Sequence, residues 1–566
     1  GGPSRLIGSY EIDVVNMSFG LGFSTLTHAA LNNLYFNSDA LMVMAAGNEG
    51  WSYPWSDPGY LAHYYGTRAI VVGAATPSGS IHGYSNRAGY TNKRNYIVAH
   101  AEASGPWAGT SFAAPRVAGT ASALKDRWPH LSGAQLGSII LSTATDLGAR
   151  GPDSIYGMGM LNYVAAFSPA RGRWFSLDQN RYPVESSDLR ISSAFAQVAN
   201  QNPLISFFDG YDRDFKLRLK PHRHSVADLL REELRWQGLG QPQEELANLK
   251  MGDWTLTSTY GFDDRASADD ISIQLSFDNT RTTLGMGFGF GGDWFYRPVG
   301  LPSVSSDRAT TGVSPVLQLA DGGMHFTGGI RAGQSILISS GYATNTNLFE
   351  EFEDMSGRDA TSDAEAMLLS MTAHSEDRGL IGNITLSRIQ EENGVLGSRF
   401  SGAFSQGTEE VGTVAMILGG DVALGESITF SGSYTLASTE IANDGPSMLA
   451  FSDSVASDAA ALGLTAHGLF AKDDKMLLAV SRPLGVTRGS GRLAFDESLD
   501  PSGNMRTVKS DFTLVPAARE VDVQLGYQYL FREDSSLEAM FFHAQNFDHV
   551  QGVGRSGLML RYQQSL

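Results

Sequence analysis

The stretch Gly109-Thr110-Ser111-Phe112-Ala113-Ala114-Pro115-Arg116-Val117-Ala118-Gly119 puts a serine at the mouth of a helix. Proline is tolerated in the first turn of a helix, so Pro115 sets the expected start close to Ser111. That turn leaves backbone N–H groups unpaired and carries the positive end of the helix dipole, which suits a developing oxyanion. The Ser111 hydroxyl is therefore a candidate nucleophile, and Gly119 and Ala123 give the helix a smooth face for close packing. A plainer reading of the same residues is a small-residue core helix that begins Thr-Ser. Two other segments carry candidate groups: Asn16-Met17-Ser18-Phe19-Gly20 at a strand end, and Ala45-Ala46-Gly47-Asn48-Glu49-Gly50 after an apolar run. The Asn48 side-chain N–H can meet negative charge, although Gly47 to Gly50 is also turn chemistry.

The elements that must position these groups follow from apolar periodicity. Asp13 to Ser18, Leu41 to Ala46 and Ala69 to Gly73 read as buried strands, and Ser24 to Asn37 reads as a helix with Ser24 as its N-cap. Strands separated by helices imply an α/β parallel sheet over residues 1–170, with function at the carboxyl ends of its strands. Residues 171–250 carry little regular pattern and read as a linker with one short helix, Ser225 to Gln237. Within it, Pro221-His222-Arg223-His224 offers two imidazoles at alternate positions, but with no third ligand nearby it reads as a solvated loop.

From 251 to 566 a period-2 pattern takes over, as in Ile271 to Phe277 and Val521 to Tyr527. In Leu284 to Gly291 every second residue is glycine, which is a strand with one large apolar face rather than a phosphate cradle. Turns such as Glu350 to Asp354 separate the strands. The expected fold is a large antiparallel all-β domain, a barrel or a large sandwich, closed by the strand Leu558 to Leu566.

The three chemistry-bearing blocks, in this order, resemble the subtilisin-like serine proteases (subtilases). Ser85-Asn86, Thr143 to Gly148 and Tyr156 to Gly159 match later blocks of that family. The resemblance covers residues 11 to 168. It implies that Ser111 is the nucleophile and that Asn48, with the Ser111 backbone N–H, holds the oxyanion. It also implies that Ser18, Phe19, Gly20 and Gly47 bind the peptide substrate. In that family the triad runs Asp, His, Ser, so the Asp and His are expected ahead of Asn16. Only Glu11 and Asp13 are acidic there, and His28, His63, His82, His100 and His130 lack the family's Gly-Thr surroundings. The chain is expected to start inside the catalytic domain and, alone, to be nearly inactive. Subtilases often hold calcium, but no Asp-rich loop here is assignable to it, so no metal and no cofactor is assigned.

A subtilase followed by a long alternating β region resembles the autotransporter proteases of Gram-negative bacteria. This implies a secreted or cell-surface location and insertion of the β domain in the outer membrane. Val411 to Ala437 and Met476 to Pro483 fit that pattern; the terminal Leu566 and strands with charge on both faces depart from it. A soluble β domain for adhesion or substrate capture is the other reading of 251–566. A pseudoprotease acting as a surface-binding module is the other reading of the whole.

Composition agrees with two unlike parts. The 566 residues carry 41 basic and 60 acidic groups, a net charge of −19, which argues against nucleic-acid partners. Residues 1–170 hold nine of each sign, so the whole excess lies in the rest of the chain. The absence of cysteine excludes disulfides and thiol catalysis. No run of 18 apolar residues exists for a membrane helix, which leaves a β-barrel open.

Overall fold

The computed structural model describes residues 12–20, 25–101, 109–220, 222–223, 244–251, 254–262, 268–277, 282–288, 316–320, 324–345, 363–375, 379–392, 394–405, 411–443, 445–472, 474–500, 502–532 and 535–564. The chain divides into two compact units. The first is Gly1–Arg181, Ser206–Leu217 and Asp496–Thr507, and the second is Tyr182–Ile205, Arg218–Phe495 and Val508–Leu566.

The parallel sheet of the first unit has four strands, β1 (Val14–Met17), β2 (Leu41–Ala45), β3 (Ala69–Ala75) and β4 (Tyr96–His100). They pair in parallel in that order, with Val14 opposite Leu41, Met42 opposite Ala69 and Val71 opposite Tyr96. Helices α1 (Thr25–Asn37), α2 (Ser56–Tyr65), α3 (Thr110–Arg127) and α4 (Gly133–Ser142) complete it. A strand that is apolar at every position needs cover on both faces, and β2 has it. Leu41, Val43 and Ala45 pack with Ile70, Ile97 and the α3 residues Ala113, Val117 and Leu124. Met42 and Met44 point the other way, among Val71, Val98, Leu61 and Ala62. Each such aliphatic side chain contributes roughly 1.5–3 kcal/mol on burial. β4 is absent from the sequence reading because its short apolar run sits directly behind Lys93, Arg94 and Asn95.

Residues 171–218, read from the sequence as linker, hold the strands β5 (Trp174–Leu177), β6 (Leu204–Phe208) and β7 (Asp214–Arg218). Arg213 is fully buried there. It pairs with Asp209 at 2.7 Å and donates to the carbonyls of Ala166, at 2.6 Å, and Ser168, at 2.9 Å. Periodicity cannot reveal such a segment, because its core contains a charge. His222 and Arg223 form a two-residue strand beside Arg190 and Ile191 rather than a loop. His224, the Ser225 to Gln237 helix and the Glu350 to Asp354 turn lie outside the described residues.

Asp496, buried in the first unit, accepts hydrogen bonds from the Ser176 and Thr507 hydroxyls, both at 2.7 Å, and from the Gln179 N–H at 3.1 Å. Burial pushes its pKa up, but the Thr507, Ser176 and backbone donors outweigh this, and the net shift is downward. A carboxyl depressed on folding stabilises above its unfolded pKa, about 3.9, and loses that contribution as pH falls through the folded value. Asp496→Asn is therefore expected to lower the melting temperature at neutral pH and to flatten the loss of stability below about pH 4. Thermal unfolding across that range checks it.

The second unit is dominated by a fifteen-stranded antiparallel sheet, running among the described residues from Glu244–Met251 to Gly554–Gln564. Neighbours in the sheet follow one another in the chain, with strands of other sheets inserted between some of them. Among the described residues no pairing joins its first and last strands. Several strands are long: Val411–Ala423 has 13 residues and Asp474–Arg488 has 15. Their two faces are unlike. In Asp363–Ser375, Met367, Leu369 and Met371 are exposed while Ala364, Ala366, Ser370 and Thr372 are buried. The buried face is joined by polar contacts, Thr413 to Thr439 at 2.9 Å and Thr385 to Ser370 at 2.8 Å. Leu558, Leu560 and Tyr562 of the last strand share one exposed face, as their spacing predicts; Leu566 lies outside the described residues.

Candidate active site

Three chain segments converge at the carboxyl end of the parallel sheet. β1 runs out into Ser18-Phe19-Gly20, β2 into Ala46 to Gly50, and α3 begins beside both with Thr110 and Ser111. Ser111 is thus the second residue of an 18-residue helix. Pro115 sits one turn deeper than expected, inside α3. A proline in a helix interior frees the carbonyl four residues earlier, and that carbonyl is Ser111 O. The Ser18 hydroxyl donates to it at 3.1 Å, so the strand end repairs the gap in the helix. In return the Ser111 Oγ donates to the Ser18 carbonyl at 3.1 Å. The two serines lock β1 to α3 by a reciprocal pair.

Asn48 is held from the same helix start. Its Oδ1 accepts from the Thr110 backbone N–H at 2.9 Å and from the Thr110 hydroxyl at 3.1 Å. A backbone N–H can only donate, so the atom it meets must be the amide oxygen, and the Nδ2 donors are turned away from Thr110. The Thr110 hydroxyl also accepts from the Gly47 N–H at 3.2 Å. Thr110, buried and not singled out by the sequence, is the residue that orients Asn48.

The Gly47 to Trp51 segment is clamped by Asn86, which is completely buried. Asn86 Oδ1 accepts from the Glu49 N–H at 3.2 Å and the Trp51 N–H at 2.9 Å; its Nδ2 donates to Ala46 O at 3.0 Å and Glu49 Oε2 at 2.8 Å. The Asn86 carbonyl takes the Tyr96 hydroxyl at 2.6 Å, and burial pushes the Tyr96 pKa up, so the phenol stays a donor. Gly47 has φ +103°, and a Cβ on it would stand 2.3 Å from Asn86 Nδ2. Only glycine fits at that position. Asn86→Ala strips four bonds from a buried site and is expected to cost about 1–3 kcal/mol, read as a fall in the unfolding midpoint.

The sequence-predicted residues Ser111, Asn48, Ser18, Phe19, Gly20 and Gly47 thus lie on the three converging segments; Phe19 is exposed. The other matched blocks brace the sheet: Thr145 and Met160 exchange backbone hydrogen bonds at 2.8 Å, and Asp153 bonds the Ile155 and Tyr156 N–H groups. His82 stacks on Tyr84, His63 lies edge-on to Tyr64, and His130 meets the Tyr211 carbonyl at 3.2 Å. The side chain of His28 is outside the described residues. Among the described residues no group of three or more His, Asp or Glu is arranged to hold a metal ion.

Residues 4–159 match the subtilase family. Subtilisin DY of Bacillus licheniformis is 34% identical over 172 residues, covering 27% of this chain and 57% of that protein. An extracellular serine protease of Serratia marcescens is 40% identical over 81 residues, 14% of this chain and 8% of that protein. Serotype-specific antigen 1 of Mannheimia haemolytica is 34% identical over 150 residues, 23% of this chain and 16% of that protein. The chain therefore spans less than two thirds of each of these relatives. The subtilase match ends at residue 159, and the long antiparallel sheet lies beyond it.

Proposed function

We propose that the first unit is the nucleophile half of a serine endopeptidase of the subtilisin kind. The observation that carries this is the fixing of Asn48 by Thr110, one residue before Ser111. It leaves an amide N–H donor beside the first turn of α3, where the oxyanion of a tetrahedral intermediate forms. Ser111 attacks the peptide carbonyl to give an acyl-enzyme, and water releases it. The extended substrate lies along Ser18 to Gly20, pairing by main chain.

A hydroxyl attacks only when a base takes its proton. In the resting chain Ser111 Oγ donates that proton in a hydrogen bond to the Ser18 carbonyl, which is no base, so Ser111 must turn from Ser18 to a histidine to react. The family order puts that His, and its Asp, ahead of Asn16. A polypeptide carrying both is expected to hydrolyse casein, and this chain alone to do so almost not at all. If the longer polypeptide also fails, the surface-binding reading takes over.

We also propose that the second unit is an outer-membrane β domain, on one specific observation. A soluble sheet buries its apolar face, whereas here Met367, Leu369, Ile384, Leu386, Leu558 and Leu560 are exposed and threonines, serines and acids are buried. Apolar outward and polar inward is the pattern of a membrane barrel, whose strands need about 9–11 residues to cross. The second unit is expected to partition with outer membranes and to migrate differently on gels with and without heating. A soluble adhesive domain would do neither.

A further inference from the structure

Trp55, which precedes α2, is tied at both ends of its residue. Its backbone N–H donates to Ala46 O at 2.9 Å, and its indole Nε1–H donates to Glu49 Oε2 at 2.7 Å. Glu49 Oε2 is held in turn by Asn86 Nδ2 at 2.8 Å. Hydrogen bonds to a carboxylate are the stronger kind, so the indole is anchored rather than free to swing.

Its ring spans two glycines on opposite segments. A Cβ built on Gly20 would stand 3.6 Å from Cζ3 of the Trp55 benzo ring; one built on Gly47 would stand 2.5 Å from Nε1. Gly20 ends the run out of β1, and Gly47 lies in the run out of β2. The indole therefore fills the slot between the two segments that flank Ser111. On the peptidase reading, in which Ser18 to Gly20 and Gly47 bind the peptide, a carbonyl over Ser111 Oγ would send the side chain on its acyl side into that same slot, since Ser18 borders Ser111 and Gly47 borders Thr110.

We propose that Trp55 is a specificity-determining residue that closes this slot to large side chains, so that the site takes peptides with glycine, alanine or serine on the acyl side of the scissile bond. The proposal rests on the peptidase reading for its biological meaning, but not for its test. Removing the indole opens space for a large apolar side chain, and a pocket of that kind discriminates by about tenfold or more per few methylenes.

The experiment uses product-type peptides, whose binding needs no catalytic base. Acetyl-Ala-Ala-Ala-Ala and acetyl-Ala-Ala-Ala-Phe, each with a free carboxylate, are titrated into this chain and followed by calorimetry and by the Trp55 indole N–H signal in NMR. The alanine-ended peptide is expected to bind at least about tenfold more tightly, and Trp55→Ala to reverse the order. Trp55→Leu, a milder change, is expected to narrow the ratio and covers the case in which Trp55→Ala fails to fold. Equal or tighter binding of the phenylalanine-ended peptide to the unaltered chain overturns the proposal. So does an unchanged ratio in a folded variant, and so does binding of neither peptide. If selectivity is as expected while the polypeptide with the triad Asp and His hydrolyses nothing, the peptidase reading falls and the role of Trp55 in binding stands.

Discussion

Ser111→Ala, made in a polypeptide that carries the triad Asp and His, is expected to abolish peptide hydrolysis while leaving the fold intact. Loss of the nucleophile in subtilisin itself costs about 10^6-fold in kcat, and the scale expected here is that enzyme's. Asn48→Ala is expected to be the smaller partner of this result, about 10^2–10^3-fold in kcat, again on the subtilisin scale. The two variants separate two ideas of Asn48. As an oxyanion donor it acts on the transition state, so kcat falls and KM stays. As a turn residue only, it would change the melting temperature and leave kcat alone. Thr110→Val, which removes one of the two donors to Asn48 Oδ1, is expected to fall between the parent and Asn48→Ala. Steady-state kinetics on one peptide, with melting curves beside them, decide among these.

Arg213→Met is expected to be the most destabilising single change away from the cleft. The Arg213 and Asp209 side chains are both fully buried, and the guanidinium reaches Asp209 with two nitrogens, at 2.7 Å and 3.0 Å. It also satisfies the carbonyls of Ala166 and Ser168 and lies against the Trp128 and Phe215 rings. Removing it leaves a buried carboxylate without its counter-charge, held only by backbone N–H groups, and takes a donor from two carbonyls, at a cost of about 3–5 kcal/mol. Asp209→Leu added to Arg213→Met is expected to recover a large part of that loss, because the desolvated charge goes with its partner. Chemical unfolding of the two single variants and the double variant measures the coupling. Strict additivity would contradict a buried pair held together in this way.

The readable parts of this chain are those where chemistry and local rules coincide. β2 and β3 are apolar at every position because both faces are covered, and the run itself announces that. Ser111 and Asn48 stand out through the family blocks in which they sit; taken alone, the first also reads as the start of a small-residue core helix and the second as a turn residue. What escapes the sequence is held by tertiary contact. Thr110 and Asn86 sit in blocks that resemble the family's, but nothing in those blocks shows what either side chain holds, and their roles exist only once β2, α3 and the loop before β4 meet. Trp55 reads as one more aromatic in Trp51-Ser52-Tyr53-Pro54-Trp55 until Gly20 and Gly47 close around it. Arg213 reads as a solvent-facing charge in what looks like a linker. Pro115 marks a first turn by local rules; it lies deeper, and Ser18 supplies the donor that the proline lacks. The alternating strands are legible from 251 onward, whereas the polarity of their buried face emerges only from which residues are covered.

On the proposed reading, Ser111 becomes a nucleophile only when a histidine from sequence ahead of Asn16 joins it, and the proposed hydrolysis depends on that. Fluorophosphonate labelling tests this most directly, comparing this chain with a polypeptide that carries the Asp and His, and locating the label by peptide mapping. Rapid labelling at Ser111 is predicted in the longer polypeptide, and labelling of this chain slower by orders of magnitude. Rapid labelling of Ser111 in this chain alone, or none at Ser111 in the longer polypeptide, would contradict it.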